Sequence, residues 1–185
     1  MIARRYPSQN ITDLCCAFFE GEASGRPATI KCRIGVDDAD SYEELAEFVS
    51  EVAKRGQVDH FIVHARKAVL NANFSPADNR NIPPLRYEFV HKLVKDFPSL
   101  AFTINGGFTT YEDSLHQLSQ GVQLSQGVHG VMVGRSVIDK PFYWNQVDSK
   151  FYGQKDPGNL LAEYPFMCLI RSICHETASL YHRFV

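Results

Sequence analysis

Short apolar runs alternate with amphipathic segments along most of the chain. The apolar runs are short and nearly continuous, as in strands that are buried on both faces of a sheet. They predict strands at 28–34, 60–65, 100–105 and 130–134. The amphipathic segments carry apolar residues at helical spacing and predict helices at 41–55, 86–97 and 111–120. The resulting order, βαβαβαβ, favours an α/β fold with a parallel sheet covered by helices.

The first of these helices carries the clearest start and stop signals. Ser41 precedes it and Glu44 lies three residues later, which is the spacing of a capping box. Gly56 follows the last turn and predicts the end of the helix. The apolar stripe between these signals consists of Leu45, Phe48, Val49 and Val52.

The pattern divides the chain into three regions. Residues 1–27 show no regular spacing of apolar residues and form a poorly defined N-terminal segment. Residues 28–140 contain the predicted strands and helices. Residues 141–185 carry apolar residues near helical spacing and predict a helical C-terminal segment. The sequence QLSQGV occurs at 117–122 and again at 123–128, where we expect it to lengthen the helix or the loop before the fourth strand.

Composition is typical of a soluble globular domain. The chain has 185 residues, of which 44% are hydrophobic and 22% are charged. No apolar run approaches the roughly 20 residues that span a bilayer, so no membrane partner is expected. The five cysteines are odd in number and form no CxxC pair, which argues against disulfides and zinc and favours an intracellular compartment, cytoplasmic or organellar. The net charge of -2 indicates no general affinity for nucleic acid, so any RNA contact would come from a local basic patch.

Polar side chains occupy the carboxyl-terminal ends of three successive predicted strands. Alternate residues of a strand face opposite sides, so Lys31 and Arg33 share one face. His64 and Asn105 lie near the ends of the next two strands with the same orientation. Each residue alone is ordinary, because a lysine at a strand end is usually solvated and a histidine is usually a satisfied core or surface group. Ligands bind at this end of parallel sheets, so together the residues favour a shared anionic ligand.

Two glycine-containing turns follow the third and fourth strands. Gly106 and Gly107 come after Asn105, and Gly134 precedes Arg135. Glycine permits a positive φ and a close approach of the backbone to a ligand, so these amides could bind a phosphate near a helix N-terminus. In closed (β/α)8 barrels the loops after the last two strands commonly form such a site. A plain turn is the alternative interpretation of Asn-Gly-Gly, and the second glycine could simply end a strand.

Several longer motifs resemble those of the A-type tRNA-dihydrouridine synthases. The matching stretches, in the family's order, are IKCRIGVDDADSYEELAEFV, FIVHARKAVL, SPADNRNIPPLRYEFV, FTINGGFTTYEDS and GVMVGRSV. HARKA together with SPADNRNIPPL is specific to the A type, and the resemblance covers roughly residues 28–155. It implies a fold of the (β/α)8 TIM-barrel type, truncated here to about the last four βα units. It also implies reduction of uridine in tRNA, with FMN as cofactor and NADPH as reductant.

The resemblance implies roles for individual residues as well. It assigns Lys31 to the flavin ring and His64 to a contact with FMN. The phosphate loop corresponds to Asn105, Gly106 and Gly107, and its second half to Gly134 and Arg135. Contact with substrate tRNA is expected of Arg66, Lys67 and Arg80.

One departure from the family pattern leaves the activity open. The family's catalytic cysteine, which protonates C5 of uridine while hydride passes to C6, lies in an Asn-x-x-x-Gly-Cys-Pro stretch. No such stretch occurs here, and Cys15-Cys16 lacks the flanking glycine and proline, so no residue is assigned as the acid. The chain is then either an active enzyme that replaces this cysteine or a truncated, inactive relative with an RNA-binding or scaffold role. A different FMN barrel oxidoreductase acting on a small molecule is a third alternative, which HARKA and NRNIPPL disfavour.

A sheet built from half a barrel has two free edges, here the predicted strands at 28–34 and 130–134. Unpaired strand edges favour pairing with another chain. The inner face of half a barrel would also be exposed, including Ile62 and Thr103, and exposed apolar area favours association. We therefore expect the isolated chain to self-associate.

Overall fold

The computed structural model describes residues 28–70, 73–120 and 127–155. The predictions for residues 1–27, for the central part of the QLSQGV repeat and for the tail beyond residue 155 lie outside the described residues.

Four parallel strands form one sheet in the part of the chain that the structure describes. They are β1 (Thr29–Arg33), β2 (His60–His64), β3 (Ala101–Asn105) and β4 (Gly130–Met132), and they lie side by side in chain order. The register places Lys31 beside Ile62, Ile62 beside Thr103, and Thr103 beside Gly130. The carboxyl ends of the strands are therefore aligned at one edge of the sheet. The four predicted strands and the α/β class are confirmed, although β4 is two residues shorter than its apolar run.

Helices alternate with the strands, as the periodicity predicts. They are α1 (Tyr42–Gly56), α2 (Asp78–Asn81), α3 (Tyr87–Asp96), α4 (Tyr111–Ser119), α5 (Arg135–Asp139) and α6 (Val147–Tyr152), with a 3-10 helix over Tyr143–Gln146. The capping box of α1 is confirmed, because Ser41 Oγ accepts a hydrogen bond from the Glu44 amide and the Glu44 carboxylate accepts one from the Ser41 amide. The stop falls one residue later than predicted, since Gly56 still belongs to the helix and Gln57 adopts the left-handed conformation at φ 51°.

The sheet has one apolar face and one largely polar face, as strand alternation requires. The apolar face carries Cys32, Phe61, Val63, Phe102 and Ile104. These side chains pack with the buried residues of the covering helices, which include Leu45, Val49 and Val52 of α1 and Val90 and Leu93 of α3. The hydrophobic core therefore lies on one side of the sheet, and the opposite face is left to polar side chains.

The segment between β2 and Pro83 contains the short helix α2. The carboxylate of Asp78 accepts hydrogen bonds from the amide and the hydroxyl of Ser75 at 3.0 and 2.7 Å, and the Asp78 amide donates to Ser75 Oγ at 3.1 Å. This reciprocal pair closes the turn that leads into α2, whose N-cap residue, Ala77, makes no side-chain cap hydrogen bond. The turn therefore depends on local polar contacts, which hydrophobic periodicity does not detect.

The chain divides into two compact units, of which one ends at Gly134 and the other begins at Arg135. In the second unit the indole Nε1 of Trp144 donates to the hydroxyl of Ser136 at 3.0 Å, and both residues are buried. The predicted division between residues 140 and 141 stays a prediction. Within the described ranges, no helix combines the length and the apolar character that crossing a bilayer requires.

β1 and β4 are the edges of the described sheet, so self-association remains expected. The predicted exposure of the inner face is wrong for Thr103, which is buried, while Ile62 is half-buried. Size-exclusion chromatography with light scattering should give a mass above 20.9 kDa that rises with concentration. A monodisperse species of 20.9 kDa would contradict this expectation.

His60 lies at the amino-terminal end of β2 and has an environment that disfavours its charged form. Its Nε2 lies 2.8 Å from the Thr103 hydroxyl, and its ring centroid lies 5.0 Å from that of His129. Burial, followed by the charge of His129, lowers the pKa of His60, whereas Asp59 acts in the opposite direction. Because the unfolded chain then binds this proton more readily than the folded chain, His60 reduces stability as the pH falls through about 6.5.

We expect His60→Gln to weaken the pH dependence of stability. Glutamine keeps a polar group beside Thr103 but does not titrate. The loss of stability that His60 causes on acidification should therefore disappear. Urea unfolding at pH 7.5 and pH 5.5 measures the free energy that each protein loses between these values. The loss should be smaller in the variant, and an equal loss in both proteins would refute a coupling between His60 and folding.

Candidate functional site

The aligned strand ends bring several predicted site residues onto the polar face of the sheet. The register pairs Arg33 with His64 and His64 with Asn105, so these three residues form one row across β1, β2 and β3. Lys31 lies two residues before Arg33 on the same face, and its side chain reaches Asn105. The polar residues that the sequence predicts on one face therefore do share it, because the alternation and the register are both regular.

Lys31 is held by a neutral partner. Its Nζ donates to Asn105 Oδ1 at 3.1 Å, and Asn105 Nδ2 donates to the Met132 carbonyl at 2.7 Å. Asn105 is buried, and its amide thereby links β1, β3 and β4. Burial is the main cause that lowers the pKa of Lys31, with Arg33 acting in the same direction and Cys32 against it. None of the ion pairs among the described residues involves Lys31, so no carboxylate among them neutralises its charge.

The turn after β3 has a conformation that side chains rarely adopt. Gly106 has φ 123° and Gly107 has φ 76°. A Cβ built on Gly106 would lie 2.9 Å from Leu85 Cδ2 and 3.4 Å from the His64 ring, and one on Gly107 would lie 2.6 Å from Leu85 Cδ1 and 3.1 Å from the Tyr87 hydroxyl oxygen. Both glycines are therefore required by conformation and by space, which suits a phosphate loop and equally a tight turn. His64 lies beside this turn, as the predicted FMN site requires.

The amino terminus of α4, which follows the turn, is already occupied by its own side chains. Thr110 Oγ1 accepts a hydrogen bond from the Asp113 amide at 3.0 Å, and Glu112 and Asp113 both lie in the first helical turn. Carboxylates at this position interact favourably with the helix dipole and repel an anion. The predicted phosphate position near a helix N-terminus is therefore better served by the glycine amides than by α4.

Gly134 follows β4 at the same end of the sheet as the Asn-Gly-Gly turn, because β3 and β4 are parallel. A Cβ on Gly134 would meet nothing within 4 Å, so space is open beside its backbone. Arg135 is the next residue and the first residue of α5.

Arg33 and Arg66 fix the segment between β2 and α3. Arg33 Nη1 donates to two of its carbonyls at 2.8 and 3.0 Å, and Arg66 Nη1 donates to two more. The four acceptors are the carbonyls of Lys67, Asn79, Asn81 and Pro83. These bonds satisfy backbone groups that have no strand partner, so the two arginines hold the segment that carries Arg80.

Arg33, Arg66 and Arg80 form a cationic cluster. Burial, followed by the charges of Arg66 and Arg80, lowers the pKa of Arg33. The Nε of Arg80 is buried and has no hydrogen-bond partner among the described residues. The ion pairs of the described residues involve none of these three guanidinium groups. Such a cluster suits a phosphate group.

Lys67, in contrast, is already paired. Its Nζ lies 2.9 Å from the Asp40 carboxylate and donates to the Asp37 carbonyl at 2.8 Å. Asp40 also pairs with Arg86 at 3.3 Å. Lys67 therefore stabilises the loop after β1, and a contact of Lys67 or Arg66 with RNA stays a prediction.

A cavity of about 830 Å³ lies along β1. Lys31, Arg33 and Arg80 line it together with apolar side chains such as Phe48 and Leu70. The Asn-Gly-Gly turn does not line it. The cavity and the turn are thus separate features, and Lys31 contributes to both through its bond to Asn105.

Cys32 lies within the part of the chain that the structure describes, and its thiol is buried in the hydrophobic core. Burial raises its pKa to about 12. It lies on the face of β1 opposite to Lys31. Cys32 is therefore unsuited to donate a proton to a ligand beside Lys31.

Three residues in the site region escaped the sequence interpretation. Leu85 and Tyr87 contact the glycine turn, and the Asp40 carboxylate forms ion pairs with the side chains of Lys67 and Arg86. Tyr87 occupies a place in an amphipathic helix where an aromatic residue normally serves the core, so nothing in the pattern indicated its hydroxyl contact.

Comparison with known proteins gives one consistent family. The family model described as "Dihydrouridine synthase (Dus)" matches residues 20–185. The tRNA-dihydrouridine(20/20a) synthase of Escherichia coli (strain K12) is 44% identical over 130 residues, which are 70% of this chain and 35% of that protein. The proteins of the same name from Yersinia pestis and Vibrio cholerae are 43% identical over 136 residues and 40% identical over 131 residues, covering 74% and 71% of this chain and 37% and 38% of theirs. The chain thus spans a little over a third of the length of the curated relatives it matches.

Proposed function

The chain belongs to the dihydrouridine synthase family, and on that premise we propose that its polar sheet face binds FMN and serves the reduction of uridine in tRNA. The observation that carries this proposal is the bond from Lys31 to Asn105, next to the Asn-Gly-Gly turn. This bond holds the Lys31 cation, which suits a flavin ring, close to the amides of Gly106 and Gly107, which suit a phosphate. Both kinds of group therefore lie at the same end of the sheet.

We further infer that the four βα units belong to a (β/α)8 barrel. The parallel strands lie in chain order, their apolar face is covered by helices, and their other face carries the polar residues. In such barrels the ligand site lies at the carboxyl ends of the strands, where Lys31, His64 and Asn105 are found.

The residues present fit the phosphate and the ring of FMN. Among the described residues, no carbonyl accepts a hydrogen bond from the amides of Gly106 or Gly107, so these donors are available to an anion. Gly134 would complete the phosphate loop at the end of β4, and Lys31 and His64 would contact the flavin. When bound, FMN supplies the hydride chemistry for the C5=C6 bond of uridine, with NADPH as the source of reducing equivalents. The contribution of the chain's own residues is to bind and orient this cofactor.

We propose that the cationic cluster of Arg33, Arg66 and Arg80 faces the tRNA backbone, with Arg80 as the residue that contacts phosphate. The other two guanidinium groups already donate to carbonyls of their own segment, whereas no hydrogen bond or ion pair of the described residues holds the guanidinium group of Arg80. Arg80→Gln should weaken tRNA binding and reduce the slope of log affinity against log salt by about 1. Filter binding between 50 and 200 mM salt measures this. A variant with the same affinity and slope as wild type would remove Arg80 from the RNA contact.

Flavin fluorescence tests the proposed function most directly. We expect weak but measurable quenching of FMN by the purified chain, and a loss of affinity of about tenfold in Lys31→Ala, because an unpaired cation beside the ring is removed. Absence of FMN binding by the wild-type chain would contradict the proposal.

Turnover is a separate question, because the sequence has no Asn-x-x-x-Gly-Cys-Pro stretch and Cys32 is buried with a raised pKa. We expect that NADPH, FMN and unmodified tRNA give no dihydrouridine with this chain alone, as measured by mass spectrometry of digested tRNA. Turnover that Cys15→Ala or Cys16→Ala abolishes would identify an acid and establish an active enzyme. Salt-dependent tRNA binding without FMN binding would instead support an inactive, RNA-binding relative.

A further inference from the structure

The hydroxyl of Tyr87 contacts the backbone of the glycine turn directly. It donates to the Gly106 carbonyl at 2.5 Å. The Tyr87 ring stacks on Phe108, with centroids 5.4 Å apart and planes inclined by 14°, so the ring has a fixed place beside the turn. Burial is the main cause that raises the pKa of Tyr87, which keeps the hydroxyl protonated and able to donate.

This hydrogen bond acts on the peptide unit that the two glycines share. The Gly106 carbonyl and the Gly107 N–H belong to one trans peptide plane, in which they point in opposite directions. Holding the carbonyl on Tyr87 therefore directs the Gly107 N–H away from Tyr87. Because glycines rotate freely at both ends of this unit, an external anchor is what selects one orientation of the peptide.

The side of the turn that faces Tyr87 is closed. A Cβ on Gly107 would lie 2.6 Å from Leu85 Cδ1 and 3.1 Å from the Tyr87 hydroxyl oxygen. No carbonyl of the described chain accepts the Gly107 amide. The N–H is thus directed away from the packed side, without an internal acceptor.

We propose that Tyr87 is a positioning residue, whose hydroxyl fixes the Gly106–Gly107 peptide so that the Gly107 amide is presented to the phosphate of the bound flavin. This inference rests on the proposed function and assigns a residue to the phosphate end of that site. Tyr87 acts through the amide and does not itself contact the ligand. It therefore affects FMN, which has a phosphate, and not riboflavin, which has the same ring system without one.

Tyr87→Phe tests this with a minimal change, because the ring stays stacked on Phe108 and only the hydroxyl is lost. We expect the Kd for FMN to rise by about tenfold, the effect of one hydrogen bond to a charged group. The Kd for riboflavin should stay within about twofold, since the phosphate contact is absent in both proteins. A general loss of structure would weaken both flavins, so the ratio of the two affinities is the readout.

Tyr42→Phe is the matched control. The Tyr42 hydroxyl donates to Asp96 Oδ2 at 2.6 Å. Tyr42→Phe therefore removes the same atom and a hydrogen bond of similar length as Tyr87→Phe, but at a position away from the glycine turn. Both variants should lower the free energy of unfolding, as urea curves measure. Only Tyr87→Phe should change the ratio of FMN affinity to riboflavin affinity.

The possible outcomes separate this inference from the proposed function. If the wild type prefers FMN to riboflavin and Tyr87→Phe keeps that preference, the role of Tyr87 is overturned and flavin binding stands. If the wild type binds neither flavin, the proposed function fails, and a titration with inorganic phosphate followed by the Gly107 amide signal in ¹⁵N NMR decides the role of Tyr87. A phosphate-dependent shift that saturates in the wild type and is lost in Tyr87→Phe supports it, whereas equal shifts, or none, in both proteins refute it.

Discussion

Gly107→Val is expected to abolish flavin binding and to lower the stability of the chain by about 2–4 kcal/mol. Gly107 has φ 76°, which is especially unfavourable for a β-branched residue. Its Cβ would also lie 2.6 Å from Leu85 and 3.1 Å from the Tyr87 hydroxyl oxygen, so the side chain would displace the packing that supports the turn. FMN affinity should fall by at least about 100-fold, which fluorescence titration measures, and urea unfolding gives the stability.

Gly153→Val separates backbone strain from damage to the site. Gly153 ends α6 at φ 63°, and a Cβ there would meet nothing within 4 Å. The free energy of unfolding should fall only by the cost of placing a side chain in the left-handed conformation, about 1–2 kcal/mol. The affinity of the variant for FMN should be unchanged. Wild-type FMN affinity in Gly107→Val would show that the Asn-Gly-Gly turn is not the phosphate cradle, whatever the change in stability.

The arrangement of the sheet was predictable from sequence because it depends on regular repeats. Phe61 and Val63 alternate with His60, Ile62 and His64 along β2, and that period of two decides which residues face the core. Once the strands are parallel and in register, polar residues at equivalent positions come together at one end. The capping box of α1 was equally visible, because its two residues lie within one helical turn.

The contacts that define the site were not predictable, because they join distant parts of the chain. Lys31 and Asn105 are 74 positions apart, and their bond depends on strand order and on a rotamer. Tyr87 reaches the Gly106 carbonyl across the packing of α3 against the turn, which periodicity does not specify. The sequence pattern places the lysine and the glycines at one end of the sheet but does not indicate the groups that contact them.

The basic residues illustrate the same limit. Arg66, Lys67 and Arg80 are equivalent as charges in the sequence, and each was a reasonable candidate for RNA contact. The fold gives them different partners, since Arg66 bonds to carbonyls of its own segment and Lys67 pairs with Asp40. The charge alone therefore could not distinguish a residue that supports the loop from one available to a phosphate.

Asn105→Leu is expected to reduce FMN affinity by about tenfold or more and to cost about 2–3 kcal/mol of stability, because the side chain bonds in two directions. Its Oδ1 accepts from Lys31 and its Nδ2 donates to the Met132 carbonyl, so leucine removes the partner of an exposed lysine and of a half-buried carbonyl and leaves the buried site without its polar link. Thr103→Val is the matched control, since Thr103 is buried in the same strand but bonds to His60 at the other end of the face. It should reduce stability and leave FMN affinity unchanged.

A double-mutant cycle with Lys31→Met separates the two functions of Asn105. If Asn105 serves the flavin by placing Lys31, the loss of FMN affinity in the double variant should equal the larger single loss and not the sum of both. The stability effect should behave differently, because the unpaired Met132 carbonyl remains whether or not the lysine is present. Asn105→Leu should therefore still destabilise the Lys31→Met background. Additive losses of FMN affinity would mean that Asn105 contacts the cofactor independently of Lys31, as its place in the family's phosphate loop implies.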